Sequence, residues 1–97
     1  MGRFAEAKPF LRKQLPKALR ALGPEDRLYI KLRSLYANAL HGDARASRND
    51  VTEAVTLLEE LSSTARRVYG PTYPLTCTIQ RNLGIARSKL ASFAAAP

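Results

Sequence analysis

Residues 53–87 read EAVTLLEELSSTARRVYGPTYPLTCTIQRNLGIAR, and residues 6–40 read EAKPFLRKQLPKALRALGPEDRLYIKLRSLYANAL. Residues 6–40 align with residues 53–87 without a gap, at an offset of 47 positions. The matching positions include Glu6, Ala7, Leu11, Ala18, Arg20, Gly23, Pro24 and Leu28, which recur as Glu53, Ala54, Leu58, Ala65, Arg67, Gly70, Pro71 and Leu75. A fixed offset over this length indicates a structural repeat.

Apolar side chains recur at helical spacing in four segments. The most regular series is Val51, Ala54, Leu58, Leu61, Ala65 and Val68. The second segment has the series Leu28, Leu32, Leu35 and Ala39. The spacing predicts helices over about 4–22, 26–40, 50–69 and 73–92. The predicted fold is all-α, an antiparallel helix-turn-helix array of four helices in a single domain over residues 1–97.

Glycine and proline mark the expected helix ends. Gly23-Pro24 and Gly70-Pro71 each follow an apolar series, because glycine readily ends a helix and proline prevents its continuation. The polar segment 41–49 is expected to be a mobile loop. Asp50 followed by Glu53 has the spacing of a capping box, which predicts that the third helix begins at Asp50.

The reactive side chains of this chain are few. Cys77 is the only cysteine and His41 the only histidine, so neither a disulfide nor a cluster of cysteine and histidine ligands can form within the chain. We expect His41 to be a surface loop residue and Cys77 to be a small packed hydrophobe early in the fourth helix. No nucleophile has a base and an orienting group near it in the sequence, so the expectation is a non-enzymatic protein that needs no cofactor and no metal.

No apolar stretch approaches the length of a membrane span. A single cysteine is compatible with a reducing compartment, so the expected location is the cytoplasm. The first 22 residues are also basic and amphipathic, as in a mitochondrial presequence, but they lack the usual serines, and the repeat gives them a folded role. Import into an organelle therefore stays open.

The net charge is +8, and the first half of the chain carries most of it. Arg12, Lys13, Lys17 and Arg20 form a candidate basic patch on the first helix. Such a patch can attract nucleic acid, and a basic helical nucleic-acid-binding domain is the alternative function. Aromatic residues are not interleaved with these basic residues, as the stacking of single strands requires, so nucleic acid is the less favoured partner. A solvated basic helix face is the simplest explanation of the charge.

The doubled pattern resembles the tetratricopeptide repeat, in the subtype found in kinesin light chain. The motifs that carry the resemblance are Glu53-Ala54, Val68-Tyr69-Gly70-Pro71, Tyr73-Pro74-Leu75-Thr76 and Asn82-Leu83-Gly84. The earlier copy has Glu6-Ala7, Leu22-Gly23-Pro24-Glu25-Asp26 and Leu35-Tyr36-Ala37, but no proline follows Asp26 and Leu35 replaces the asparagine. The offset of 47 exceeds the 42 usual in this subtype, and the extra residues fall in the polar loop.

The resemblance implies that each repeat pairs an A helix with a B helix, and that this chain has them in the order B, A, B, A. The A helices of such arrays line a groove that binds peptides. The implied groove positions on the second helix are Lys31, Ser34, Asn38 and His41. Those on the fourth helix are Thr78, Arg81, Asn82, Ile85 and Ser88. Small residues at Ala37 and Gly84 are expected where an A helix and a B helix pack closely.

The expected function is therefore a non-enzymatic protein-interaction module. Asn38 and Asn82 can donate to and accept from a peptide backbone, and Lys31 and Arg81 can bind carboxylates, so the expected partner is a protein or peptide segment, with an acidic one favoured by charge. Taken singly, each of these residues is also typical of a solvated helix face. The terminal helices have apolar flanks with no capping helix, which predicts self-association.

Overall fold

Four α-helices make up the part of the chain described by the computed structural model, residues 3–95. Their bounds are Arg3–Leu22 for α1, Arg27–Gly42 for α2, Arg48–Tyr69 for α3 and Pro74–Ala95 for α4. No strand occurs among these residues. The structure confirms the predicted all-α helical array, and the outermost residues of the predicted 1–97 domain lie outside the described range.

The turns after α1 and α3 form at the two Gly-Pro pairs. Gly23 has a φ of 90° and Gly70 a φ of 96°, values that residues with a Cβ rarely adopt. The amide of Gly23 donates to the Leu19 carbonyl at 2.9 Å, and the amide of Gly70 donates to the Ala65 carbonyl at 3.1 Å. Each glycine therefore satisfies a carbonyl that the end of its helix would leave unpaired.

The N-terminus of α3 lies earlier than the sequence predicted. Ser47, not Asp50, is the N-cap, since the Ser47 hydroxyl accepts from the Asp50 amide at 3.1 Å. The Asp50 carboxylate accepts from the Ser47 amide at 3.2 Å, which completes a capping box. The prediction of Asp50 as cap was therefore wrong, because the sequence contains two cap-competent pairs and the earlier one gives the longer helix.

The C-terminus of α2 also extends past its predicted end. The helix continues to Gly42, so His41 is helical and buried and is not a residue of the loop predicted over 41–49. The Lys89 ammonium group of α4 donates to the His41 carbonyl at 2.6 Å and to the Asp43 carbonyl at 3.0 Å. A cation at this position stabilises the final carbonyls of a helix, which explains the extra residues of α2.

The helices are arranged so that each packs against its neighbour in sequence, and α2 also packs against α4. Consequently α2 contacts all three other helices, whereas α1 contacts only α2 among the described elements. The large side chains of the buried core include Leu11, Ile30, Leu40, Leu58, Leu61, Ile79 and Leu83. Its centre is therefore the α2–α3 pair, with α1 on one side and α4 on the other.

The core face of α3 follows the predicted series, but that of α2 does not. Five of the six apolar residues of the α3 series are buried, and only Val68 is partly exposed. On α2 the buried face carries Ile30 and Leu40, whereas Leu28 is 52% exposed and Leu35 is 46% exposed. Three neighbours surround α2, so its buried arc is wide and centred away from the predicted leucine series.

The two small residues predicted to lie at close helix crossings have different environments. Ala37 on α2 is fully buried in the core, as expected. Gly84, its equivalent on α4, is exposed, and a Cβ built there would meet no atom within 4 Å. The prediction for Gly84 was wrong because no described helix covers that face of α4.

Replacing Gly84 with Ala should therefore raise the free energy of unfolding by about 0.5–1 kcal/mol, because alanine favours the helix and meets nothing in this structure. The matched change at the equivalent buried position, Ala37→Leu, should lower it by about 1–3 kcal/mol through overpacking. Urea unfolding followed by circular dichroism measures both values. A destabilising effect of Gly84→Ala would contradict the open environment of this residue.

Candidate functional site

A groove lies between α2 and α4 and encloses about 640 Å³. Its lining combines cationic, apolar and small polar side chains. These are Arg27, Leu28, Lys31, Ser34, Leu35 and Asn38 of α2, with Tyr73, Pro74, Leu75 and Thr78 of α4 or the turn before it. The lining residues of α4 come from its first two turns, whereas those of α2 extend from Arg27 to Asn38. The groove therefore runs along most of α2 and reaches only the N-terminal end of α4.

Contacts between the two Gly-Pro turns position this end of the groove. The Tyr69 hydroxyl donates to the Glu25 carbonyl at 2.8 Å, and Arg67 forms a 2.8 Å ion pair with the Glu25 carboxylate. The Tyr69 ring stacks on Tyr73 with 5.1 Å between centroids, and Arg27 donates to the Tyr73 hydroxyl at 3.4 Å. The turn of one repeat is thus bonded to the turn of the next, and the first residues of α2 and α4 are held side by side.

The opposite end of the α2–α4 pair is closed by Lys89, which bonds to the last carbonyls of α2. Nearby, the Asn38 amide oxygen lies 3.3 Å from His41 Nε2. This pairing engages the amide oxygen of Asn38, and the amide nitrogen of the same side chain is a donor. Burial lowers the pKa of His41 below its usual 6.5, and the positive charge of Lys89 lowers it further.

The described lining of the groove contains two cations, Arg27 and Lys31, and no acidic side chain. It also contains Leu28 and Leu35, which are about half exposed although they are large and apolar. Exposed apolar side chains that share a concave surface with a few polar groups are typical of a binding site. The arrangement is suited to a ligand that presents both apolar side chains and negative charge.

The structure brings together four of the predicted groove residues: Lys31, Ser34, Asn38 and Thr78. Five predicted positions do not line the groove: Arg81, Asn82, Ile85 and Ser88 lie further along α4, and His41 lies near the end of α2. The four residues of α4 lie beyond the groove because the lining of this helix is restricted to Pro74, Leu75 and Thr78, in its first two turns. Ser34 is buried, so it contributes to the floor of the groove and not to an exposed polar edge.

Sequence reasoning missed the apolar and aromatic lining of the groove, which includes Leu28, Leu35 and Tyr73. Leu28 and Leu35 were assigned to the core because they fit a helical series. Tyr73 lies in a turn, where the spacing of residues in the sequence does not predict the direction of a side chain. The available signal was Ile30, Ala37 and Leu40, a second apolar series on α2 that competes for the core face.

The predicted basic patch is divided by the fold. Arg12 points toward α2 and α3, where its guanidinium donates to the Tyr36 hydroxyl at 2.9 Å, and that hydroxyl donates to Glu53 at 3.4 Å. Lys13, Lys17 and Arg20 are exposed. The candidate patch is therefore a strip of three cations, since Arg12 is engaged in structure.

A second, smaller cavity of about 380 Å³ lies between α1 and α3, beside this Arg12 contact. Leu15, Tyr36 and Leu57 contribute apolar surface to it. Arg33 and Glu60, which form a 3.2 Å ion pair, lie at its edge together with Glu53. The charges here are paired with each other, in contrast to the cations of the α2–α4 groove.

The two reactive side chains also differ from their predicted environments. Cys77 is exposed, and its thiol donates to the Pro71 carbonyl at 3.6 Å, so it is not a packed hydrophobe. His41 is buried and has no nucleophile among its hydrogen-bonding partners. Within residues 3–95 no three His, Cys, Asp or Glu side chains are grouped so that they can hold a metal ion. None of the helices in this range is long and apolar enough to cross a membrane.

Comparison with known protein families assigns the chain to one of them. The family model described as "Tetratricopeptide repeat" matches residues 35–96, which is more than half of the chain. The chain belongs to the tetratricopeptide repeat family. No curated protein and no solved structure matches it significantly. The match covers α3, α4 and the second half of α2, so both helices of the groove contribute to the tetratricopeptide repeat region. Repeats of this family are generally non-catalytic and mediate protein–protein interaction.

The buried His41 predicts a stability that depends on pH. Because the pKa of His41 is lower in the folded chain than in the unfolded chain, the unfolded chain binds more protons as the pH falls below about 6.5. The free energy of unfolding should therefore decrease below that pH, by at most about 1.4 kcal/mol per pH unit, and stay constant just above it.

The variant His41→Gln should remove this dependence between about pH 6.5 and 5.5, since His41 is the only histidine. Urea unfolding of both proteins at several pH values provides the measurement. Equal slopes for the two proteins would show that His41 is not the group responsible.

Proposed function

We propose that this protein is an interaction module that binds a peptide segment of a partner protein in the α2–α4 groove. The observation that carries the proposal is the composition of the groove lining, in which Arg27 and Lys31 lie beside the half-exposed Leu28 and Leu35. The favoured ligand is a segment that alternates acidic and apolar side chains. The side-chain amide of Asn38 can donate a hydrogen bond to the backbone of this segment.

The preformed shape of the groove supports this proposal. Contacts at the turn end and at Lys89 fix the separation of the two helices before a ligand arrives. A site that is already ordered loses less conformational entropy on binding, which favours affinity from a short surface. Four helices nevertheless offer a limited area, so an affinity in the micromolar range is expected.

Several finer features stay predictions. The kinesin-light-chain-like subtype is supported by Val68-Tyr69-Gly70-Pro71 and Asn82-Leu83-Gly84 in the second copy. The acidic character of the partner is supported by the lining cations. The expectation of a non-enzymatic protein is supported by the family, whose repeats are generally non-catalytic, and the expected location remains cytoplasmic. The nucleic-acid alternative is less favoured because aromatic residues are not interleaved with the basic residues of α1.

The groove can be tested by charge reversal. The double variant Arg27→Glu/Lys31→Glu should bind an acidic-apolar peptide about tenfold more weakly than the wild type, because two favourable charge contacts become repulsive. The probe is a fluorescein-labelled peptide of alternating Glu and Leu, with an otherwise identical Lys-Leu peptide for comparison. Fluorescence anisotropy at physiological ionic strength gives the dissociation constants.

The matched control is Arg48→Glu/Arg66→Glu, which changes the net charge equally at two exposed positions of α3. This control should bind like the wild type. If it weakens binding as much as the groove variant, net charge and not the groove determines affinity. Binding of the Glu-Leu and Lys-Leu peptides with equal affinity would refute the preference for an acidic partner, and binding of neither would refute the groove as the site.

A further inference from the structure

The end of the α2–α4 pair that lies away from the Gly-Pro turns contains one imidazole ring, that of His41. This side chain is buried, and its Nε2 atom lies 3.3 Å from the amide oxygen of Asn38, a residue of the groove lining. The backbone carbonyl of His41 accepts from the Lys89 ammonium group at 2.6 Å, and the same ammonium group donates to the Asp43 carbonyl at 3.0 Å. We call these two hydrogen bonds the Lys89 contact. His41 is therefore bonded both to the groove and to the contact that closes its end.

His41 lies on the side of α2 between α3 and α4. Successive helix positions differ by about 100°, so His41 is about 60° from Asn38 in one direction and about 80° from Arg33 in the other. Asn38 lines the groove with α4, and Arg33 forms a 3.2 Å ion pair with Glu60 of α3. The helices whose charges face the ring are therefore α3 and α4.

The charge that acts on the ring is the ammonium group of Lys89, from α4. The other charged residues near this end are exposed or bonded elsewhere: Arg87 with Glu59, Asp50 with the Ser47 amide, Asp43 with the Arg45 amide, and the exposed Arg48. Within residues 3–95 no carboxylate forms an ion pair with the imidazole. A positive charge on His41 would therefore meet another cation and no compensating anion from this part of the chain.

A second proton on His41 competes with Lys89 for one acceptor. The Asn38 amide oxygen can only accept, so Nε2 carries the hydrogen of the neutral ring and Nδ1 has none. In the imidazolium form Nδ1 also becomes a donor, and the acceptor available to it is the backbone carbonyl of His41. Lys89 already donates to that carbonyl. Protonation therefore places two cations at one carbonyl oxygen in a partly desolvated region, where their repulsion is strong.

We propose that protonation of His41 breaks the Lys89 contact, separates the C-terminal end of α2 from α4 and weakens the binding of a peptide in the groove. The last step rests on the proposed function of the groove, whereas the first two steps concern this protein alone. At neutral pH the ring is uncharged and the Lys89 contact forms. When the contact breaks, the ring that bonds to the Asn38 oxygen is displaced, and this part of the groove lining loses its fixed position.

Protonation has two effects on an acidic ligand, and they have opposite signs. Loss of the Lys89 contact weakens binding, whereas the added positive charge attracts the ligand. The cations of the groove lining are Arg27 and Lys31, and ten residues of helix, about 15 Å, separate Lys31 from His41. This distance exceeds the Debye length of about 8 Å at physiological ionic strength, so the attraction is largely screened. We therefore expect the affinity to decrease as the pH falls.

The pH range of the response follows from the surroundings of His41. Burial and the charge of Lys89 hold the pKa of His41 below its usual 6.5. The Lys89 contact requires the neutral ring, so it should persist at neutral pH and be lost as the pH falls through the pKa of the folded chain. His41 is the only histidine, and the carboxylates of a ligand stay largely ionised above about pH 5.5. The range from about pH 7.0 to 5.5 therefore isolates this group.

Amide hydrogen exchange tests the first two steps without a ligand. NMR measures the exchange rates, corrected for their intrinsic pH dependence, at about pH 7.0 and 5.5 for the wild type and for His41→Gln, which keeps a donor for Asn38 but does not titrate. In the wild type, the amides in the last turn of α2 should lose protection by up to about tenfold per pH unit, and in His41→Gln they should not. The Ile30 amide, which donates to the Asp26 carbonyl at the other end of α2, should change less. An equal loss at both ends of α2 would refute a local opening.

The last step is tested with the Glu-Leu peptide by fluorescence anisotropy. The wild type should bind it about tenfold more weakly at pH 5.5 than at pH 7.0, and His41→Gln should bind it equally at both. Lys89→Met lacks the Lys89 contact at every pH, so it should bind weakly at both values. The control Lys17→Met makes the same change at an exposed position of α1 and should behave like the wild type. Circular dichroism verifies that each variant is folded.

The possible results separate this proposal from that of the groove. A peptide that binds at neither pH refutes the groove as the site, and the exchange measurement then decides whether His41 controls the Lys89 contact. Equal pH dependence in the wild type and in His41→Gln refutes the proposal, as does an affinity that increases on acidification. If Lys89→Met keeps the pH dependence of the wild type, protonation acts through another group, and the proposal is also refuted.

Discussion

The packing of α2 against three helices at once is the constraint on which the rest of this structure depends. Ile30 and Ala37 are fully buried and Leu40 is nearly so, which leaves α2 only one open arc for solvent or a ligand. A close crossing with α3 requires a side chain as small as Ala37, since a larger one would separate the helices that hold the core. The open arc of α2 is the wall of the candidate groove.

Hydrogen bonds and an ion pair between successive repeats hold the ends of the helices in place. Glu25 lies in the first turn. Its carbonyl accepts from the Tyr69 hydroxyl and its carboxylate pairs with the Arg67 guanidinium, and both partners come from the end of α3. At the other end, Lys89 of α4 bonds to the carbonyls that end α2. These contacts are between groups at the surface, so each contributes modestly, but together they fix the relative position of the A helices.

The features that sequence reasoning predicted correctly are those decided by local chemistry. Gly23 and Gly70 end their helices because they adopt a positive φ, which residues with a Cβ rarely adopt. The α3 series faces the core because that helix has one strongly apolar face. Ser47 and Asp50 show the limit of this reasoning, since both can cap a helix and only the longer helix distinguishes them.

The candidate site was harder to predict because it depends on which faces neighbouring helices leave open. Lys31, Ser34, Asn38 and Thr78 were found from the family pattern, which specifies the A helices as the groove walls. Leu28 and Leu35 were assigned to the core because apolar periodicity does not tell a covered arc from an uncovered one. Arg12 was assigned to the surface because its partner Tyr36 is 24 residues away, and no local pattern joins them.

The two ends of the groove are chemically unlike, and this difference gives the surface a direction. At the turn end lie Arg27 and the stacked ring of Tyr73, whereas toward the C-terminal end of α2 lie Asn38 and the buried imidazole it contacts. A chain laid along the groove and the same chain laid in reverse therefore meet different neighbours at every position. A peptide and its retro-sequence have the same composition and charge, yet to this surface they are two distinct ligands.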